Sequence, residues 1–301
     1  MQRQIDDFLT SLQVEKGYSD NTIVAYRNDL SQFAQFLAEQ LSRDSWKDVK
    51  NDDLVGYLNC LKWDREYASA TVARKVAATK SFFHHLVTQG VIERDPSIDL
   101  DSPKVRKYLP RAISEQEVER LLKAPTKDDT SRSLRDSALM EVLYATGMRV
   151  SEVVAVNVED IDLAGGCVHC VNKSSKAKER VIPIYPRAVV ALQSYLQDGR
   201  SKLLRNDKEK ALFLNHRGRR LTRQGLWLII KKYVEEVGIE TPVTPHTLRH
   251  SFATHLLNGG ADVRQVQGLL GHANVSTTQV YTQLNQDKLR EVYDEAHPRA
   301  H

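Results

Sequence analysis

Between positions 95 and 110 the chain carries Pro96, Pro103 and Pro110, the basic residues Lys104, Arg106 and Lys107, and no periodic spacing of apolar residues. Each proline removes a backbone donor and pushes the residue before it out of the helical region, so neither a regular helix nor a central strand runs through such a stretch. This predicts a linker over 103–111 joining two separately packed domains, 1–102 and 112–301. With 301 residues, both halves are long enough to bury a core of their own, at roughly 150 residues per domain.

The first domain reads as helical throughout. Ile5, Phe8, Leu9 and Leu12 share one helical face, and Ile23, Leu30, Phe33 and Leu37 repeat the pattern. Asp52 and Asp53 open a third helix carrying Leu54, Leu58 and Leu61, acids suited to the positive end of a helix dipole. A fourth is expected over 71–89, with Val72, Val76, Phe83, Leu86 and Val87 inward and Gly90 as its stop. Four amphipathic helices predict a small bundle. Beyond the linker, Ser114 and Glu117 form a capping box ahead of Val118, Leu121 and Leu122. A helix over 133–145 is stopped by Gly147, and Thr222 starts another with Leu226, Ile230 and Tyr233 on one side. Short β-branched runs at 167–171 and 180–184 predict a hairpin, with 212–214 as a third strand. The fold class expected is mainly α, with a small antiparallel sheet in the larger C-terminal domain.

The formal net charge of +4, from 43 basic and 39 acidic residues, is too mild to name a partner. Its distribution says more. Lys104, Arg106, Lys107 and Arg111 form one basic run, Lys173, Lys176, Lys178 and Arg180 a second, and Arg217, Arg219, Arg220 and Arg223 a third, with Glu179 the only acid inside them. Three such runs point to a phosphate-facing surface more than to solvated loops. No stretch approaches the ~18 apolar residues of a membrane span, and the N-terminus lacks an export signal, so a cytoplasmic protein is expected. Cys167 and Cys170 point to opposite faces of their strand and no second ligand pair follows, which favours reduced thiols over a zinc site.

The chemistry concentrates near the C-terminus. Thr244 and Pro245 open a helix on which His246, Arg249 and His250 lie at i, i+3 and i+4, one face close to a positive helix end. That is an anion site, and its natural target is a phosphate. The two histidines enclose Arg and Leu where a metalloprotease helix has Glu, so neither a metal nor a cofactor is expected. Downstream, Tyr281 offers a phenol able to act as nucleophile. Upstream, Arg149 follows the Gly147 stop and projects from the end of an element, where Glu152 can hold it; alone, this corner reads better as an ordinary helix-helix corner with a surface salt bridge, and only the combination of motifs changes that.

Taken together, residues 146–152 (Thr-Gly-Met-Arg-Val-Ser-Glu), Lys178-Glu179-Arg180, His246-Thr247-Leu248-Arg249-His250, Leu269-Leu270-Gly271-His272 and Tyr281 resemble the tyrosine recombinases. The ending His297-Pro298-Arg299-Ala300, the length and the N-terminal bundle resemble their Xer type. The resemblance implies an N-terminal SAM-like core-binding domain and a C-terminal catalytic domain. It further implies that Arg149 and Arg249 grip the scissile phosphate, that His246 and His272 complete the pocket, and that Tyr281 is the nucleophile of a 3′-phosphotyrosyl intermediate. Arginine suits that task, since its planar fork spans two phosphate oxygens and stays charged. The resemblance also implies a hairpin lysine as general acid, Lys173 at the foot of the turn, with Lys176 within it as its rival because this turn is longer than the compact form common in the family.

DNA contacts follow in the same way: Arg223 and Gln224 on the helix opening at Thr222, with Arg74, Lys80, Lys104, Arg106, Lys107 and Arg220 alongside. A tail over 287–301, with Leu289 and Val292, is implied to dock on a neighbouring protomer. The implied partners are double-stranded DNA with a dif-type site, a tetramer of this chain or of it with a Xer paralogue, and an FtsK-like DNA translocase. The implied role is chromosome dimer resolution. Its competitors are a mobile-element integrase, a type IB topoisomerase-like strand transferase and a non-catalytic DNA-binding protein.

Overall fold

The N-terminal apolar stripes become four helices, α1 (Gln2–Val14), α2 (Asp20–Leu41), α3 (Asn51–Asn59) and α4 (Ser69–Thr88). They close over one core in which Phe8, Leu30, Phe33, Leu61, Phe82 and Phe83 are essentially removed from solvent. Each side chain so buried contributes about 1.5–3 kcal/mol of hydrophobic stabilisation. The bundle also buries a charge pair: Lys75 Nζ lies 2.9 Å from Asp29 and donates to Gln32 at 2.6 Å, so neither charge is left uncompensated.

This computed structural model describes residues 1–103, 112–170, 180–271 and 286–300, and the chain divides into two units, Met1–Tyr108 and Leu109–His301. Of the expected linker, only Pro103 falls among the described residues. Those residues include no helix long and apolar enough to cross a membrane.

The second unit comprises α5 (Glu115–Lys123), α6 (Ser131–Thr146), α7 (Val150–Ala155), β1 (Ile161–Asp162), β2 (Cys167–Cys170), β3 (Arg180–Pro183), α8 (Pro186–Ser194), α9 (Ser201–Leu203), α10 (Arg223–Glu236), α11 (Pro245–Asn258), α12 (Val263–Leu270) and α13 (Gln286–Ala296). The expected capping boxes are present, Ser114 with Glu117 on α5 and Thr244 with Thr247 on α11. Helix α6 is the axis. Its residues Ala138 to Thr146 are all buried, as in a helix enclosed on every side.

The sheet is antiparallel in the order β1-β2-β3, with Val168 opposite Ile161 on one side and Ile182 on the other. Its third strand is therefore Ile161–Asp162, and the expectation of a strand at 212–214 is corrected. Leu212, Phe213 and Leu214 are buried in the core instead, and residues 211–214 form only isolated bridges, Ala211 with Asn157 and Leu214 with Arg220. The cause lies in Tyr195, whose hydroxyl donates to the Leu212 carbonyl at 3.0 Å and accepts from the Leu214 amide at 3.2 Å. A side chain satisfies the two backbone groups that a strand on that side would otherwise pair, while the Leu212 amide and the Phe213 carbonyl bond to Val156 and Leu221.

Helix α6 ends on Gly147, with φ 55° in the left-handed region. A Cβ there would lie 2.3 Å from Cδ1 of the buried Phe252. Gly147→Ala is expected to cost about 2–5 kcal/mol, from the left-handed backbone and from overpacking together, measured as a lower urea midpoint. An unchanged midpoint would show that this corner can relax.

The C-terminal segment, expected against a neighbour, packs in this single chain on its own unit. Tyr293 is fully buried and donates to the Ala145 carbonyl at 3.0 Å. His297 sits among Tyr144, Tyr185, Phe252 and Tyr293, ring centroids 4.8–5.8 Å away. Burial holds its imidazole down at about 3, so it stays neutral. Arg299 reaches past it to Glu141 at 2.7 Å and also pairs with Glu119. Leu289 and Val292 are partly buried against the same core.

Candidate active site

The site forms where three helix ends meet. Gly147 turns the chain out of α6, and Arg149 caps the following α7, its amide donating to Glu152 Oε2 at 2.7 Å. Helix α12 ends at Leu270 on Gly271, again left-handed with φ 63°. The last carbonyls of such a helix carry its negative dipole end and lack intrahelical donors. Each is taken by an arginine from elsewhere in the chain. Arg180 Nε donates to Leu269 O at 2.9 Å, Arg249 Nη2 to Leu270 O at 2.8 Å, and Arg149 Nη2 to Gly271 O at 3.0 Å. Arg249 Nη1 also reaches Gly147 O at 2.6 Å, tying the α6 and α12 ends together.

One carboxylate serves this cluster. Glu152 accepts from Arg149 Nη1 at 3.0 Å and from Arg180 Nη1 and Nη2 at 3.1 and 2.9 Å. Burial by itself would raise its pKa; the Arg180 hydrogen bonds and charge, with the Arg149 amide and guanidinium, outweigh that and hold it at about 2. Arg249 has no carboxylate partner among the described residues. Burial first, then the neighbouring Arg149 charge, lowers its pKa to about 10. It remains a cation at neutral pH, half-buried, and among the described residues three guanidiniums around one carboxylate leave the cluster with two positive charges in excess. An anion answers that excess.

Sequence reasoning placed Arg149 and Arg249 in one site, and the folded chain brings them onto adjacent carbonyls of one helix end. His246 lies exposed on the first turn of α11, one turn before Arg249. His255 packs instead, its Nδ1 2.8 Å from the Tyr144 hydroxyl. His272, Tyr281, Lys173 and Lys176 lie outside the described residues, as do Lys104, Arg106 and Lys107. Arg223 and Gln224 are exposed at the start of α10. Arg220 turns inward, donating to the carbonyls of Val154 and Val156 at 2.9 and 3.2 Å and to Asn157 Oδ1 at 2.6 Å. Arg74 pairs with Asp29, and Lys80 donates to Ile98 O at 3.3 Å. What sequence reasoning missed is Arg180. It was visible within the Lys-Glu-Arg motif, but nothing local announces a partner on α7 or α12.

Residues 111–288 match the phage integrase family, and residues 5–90 match the phage integrase N-terminal SAM-like domain. Over 299 residues the chain is 51% identical to the tyrosine recombinase XerC of Herpetosiphon aurantiacus, covering 99% of this chain and 96% of that one. The chain belongs to the phage integrase family, as a tyrosine recombinase of the Xer type. It is likewise 44% identical to the tyrosine recombinase XerD of Oceanobacillus iheyensis, over 98% of both chains. In fold, the recombinase matches the XerH site-specific recombinase bound to palindromic difH substrate with a TM-score of 0.70 and 23% identity, covering 98% of this chain and 84% of that one. Such enzymes cut and rejoin DNA, a reaction that needs a pocket for one phosphodiester.

Proposed function

We propose that the recombinase performs strand exchange at a dif-type site in chromosome dimer resolution, with the arginine cluster at the end of α12 as its phosphate pocket. The observation that supports the pocket is the convergence of Arg149 and Arg249 on adjacent carbonyls with Arg249 lacking any carboxylate partner among the described residues, and the likeness to XerC and XerD proteins supports the biological role. A scissile phosphate fits there because two forks can take its non-bridging oxygens and offset the charge added in the pentacoordinate transition state. His246 and His272 complete the pocket.

In the proposed reaction the Tyr281 oxygen attacks phosphorus as its phenolic proton passes to water. The phosphorus–O5′ bond breaks, and Lys173, or Lys176 in its place, gives the departing O5′ a proton. The products are a 3′-phosphotyrosyl link and a free 5′ hydroxyl. Attack by a partner strand's 5′ hydroxyl reverses these steps, so phosphodiester bonds are conserved and no nucleotide is consumed. Arg223 and Gln224, exposed on α10, are suited to base edges in the major groove. Four protomers, all of this chain or shared with a paralogue, would join two sites, with an FtsK-like translocase as activator.

The test is a nicked duplex carrying a dif-type site from the host's replication terminus, from which a cut strand cannot be resealed. A 3′-linked covalent complex is expected on that site, weakened binding to it by Arg223→Ala, and exchange between two sites on one plasmid. Relaxation of supercoils with no exchange product, whether or not a paralogue is added, would replace this reading with a topoisomerase-like one.

A further inference from the structure

Arg180 is not among the residues assigned to the phosphate, yet it joins three segments of the site. It begins β3 opposite Cys170, the last residue of β2, and Lys173 and Lys176 fall in the sequence between these two strands. Its guanidinium spans both oxygens of Glu152, and its Nε holds Leu269 O, three residues before His272. We propose that Arg180 is a positioning residue for strand cleavage: through Glu152 it aims the Arg149 guanidinium, and through Leu269 it fixes the helix end from which position 272 departs. This rests on the pocket proposed above.

Burial separates the two arginines that share Glu152. The Arg149 side chain is 40% exposed, whereas Arg180 is 14% and Glu152 10% exposed. Arg149 is therefore the member that can meet a phosphate, and Arg180 stands behind it. Each Glu152 oxygen accepts two bonds. Oε1 receives one Nη1 from each arginine, and Oε2 receives the Arg149 amide and Arg180 Nη2. A carboxylate held at all four positions cannot rotate, and the Arg149 fork inherits that rigidity. Without Arg180, Glu152 keeps its burial but loses the partner that most opposes it, so its carboxyl takes up a proton more readily and holds Arg149 less firmly. Gly271 also packs closely on Arg180 itself, since a Cβ there would lie 2.9 Å from its Nη1.

The experiment measures single-turnover covalent trapping on the nicked duplex from about pH 5.5 to 8.5, with duplex affinity against salt, for wild type, Arg180→Gln, Arg180→Lys, Glu152→Gln and the Arg180→Gln/Glu152→Gln double variant. Arg180→Gln is expected to cleave ~30- to 300-fold more slowly, as a small misplacement of a catalytic group does, while its salt slope of binding stays that of wild type because it loses no phosphate contact. Its rate should also fall more steeply toward the acid end than that of wild type, because Glu152 without Arg180 takes up a proton more readily. Arg180→Lys restores the wild-type profile but only part of the rate, since an ammonium cannot span two oxygens and a carbonyl. The double variant is expected within about twofold of the slower single one, because both act through one carboxylate.

Cleavage by Arg180→Gln within threefold of wild type overturns the proposal. So does a rate loss whose acid side is no steeper than that of wild type, a reduced salt slope, or additive losses in the double variant. If Arg180→Gln does not fold, Arg180→Lys and Glu152→Gln carry the same comparison. No covalent complex with wild type overturns the strand-cleavage reading and this proposal with it, whereas a normal wild-type complex and an undiminished Arg180→Gln complex overturn this proposal alone.

Discussion

Tyr281→Phe removes a single oxygen and is expected to abolish the 3′-linked covalent complex, lowering trapping at least ~10³-fold to background. Duplex affinity should stay within about twofold, because affinity rests on cationic contacts to phosphates and the phenol contributes no charge to them. The two readouts separate chemistry from binding, and they also set this recombinase apart from a DNA-binding protein that merely keeps the fold. Trapping by the Phe variant at the wild-type rate would move the nucleophile to another residue. Retention of binding with loss of the adduct is the outcome that a phenolic nucleophile requires.

Arg249→Ala should be nearly as damaging, by two routes that different measurements resolve. Cleavage is expected to fall by ~10²–10³-fold or more, since the variant loses a preorganised, charged donor where negative charge develops. Stability is expected to fall by about 2–4 kcal/mol, because the carbonyls of Gly147 and Leu270 each lose a donor at the junction of α6 and α12. Urea unfolding reads the second effect and single-turnover trapping under folding conditions reads the first. Arg249→Lys is the sharper variant. It returns the charge but cannot reach two carbonyls on different helices while facing a phosphate, so recovery of only a small part of the rate is expected. Full recovery with Lys would mean that charge alone matters and that the fork geometry described here does not.

Legibility of the site varied with the distance over which each contact acts. The Thr244 cap and Pro245 start of α11 follow from adjacent residues, and so does the shared face of His246 and Arg249. The Gly147 stop was equally local, although α6 begins at Ser131, two residues before the expected start, because Thr130 and Ser133 cap it together. The expected strand at 212–214 failed for a non-local reason. A buried Leu-Phe-Leu run resembles a core strand, and only the placement of Tyr195 decides that a hydroxyl takes the place of a neighbouring strand. The tail shows the same limit: Arg299 finds Glu141 across 158 residues, and no spacing rule reaches that far.

By itself the sequence determined the local elements: amphipathic stripes, caps and stops act through neighbours three or four residues apart, and the ordered set of motifs specified the family's chemistry. Tertiary structure alone decided which charges share a partner. Arg149 meets Gly271 across 122 residues, Arg249 meets Gly147 across 102, and Arg180 meets Leu269 across 89. The physical reason is that a helix end exposes unpaired carbonyls in a fixed direction, and which guanidiniums can approach them depends on how whole helices pack, a property of the closed core and of no short stretch within it.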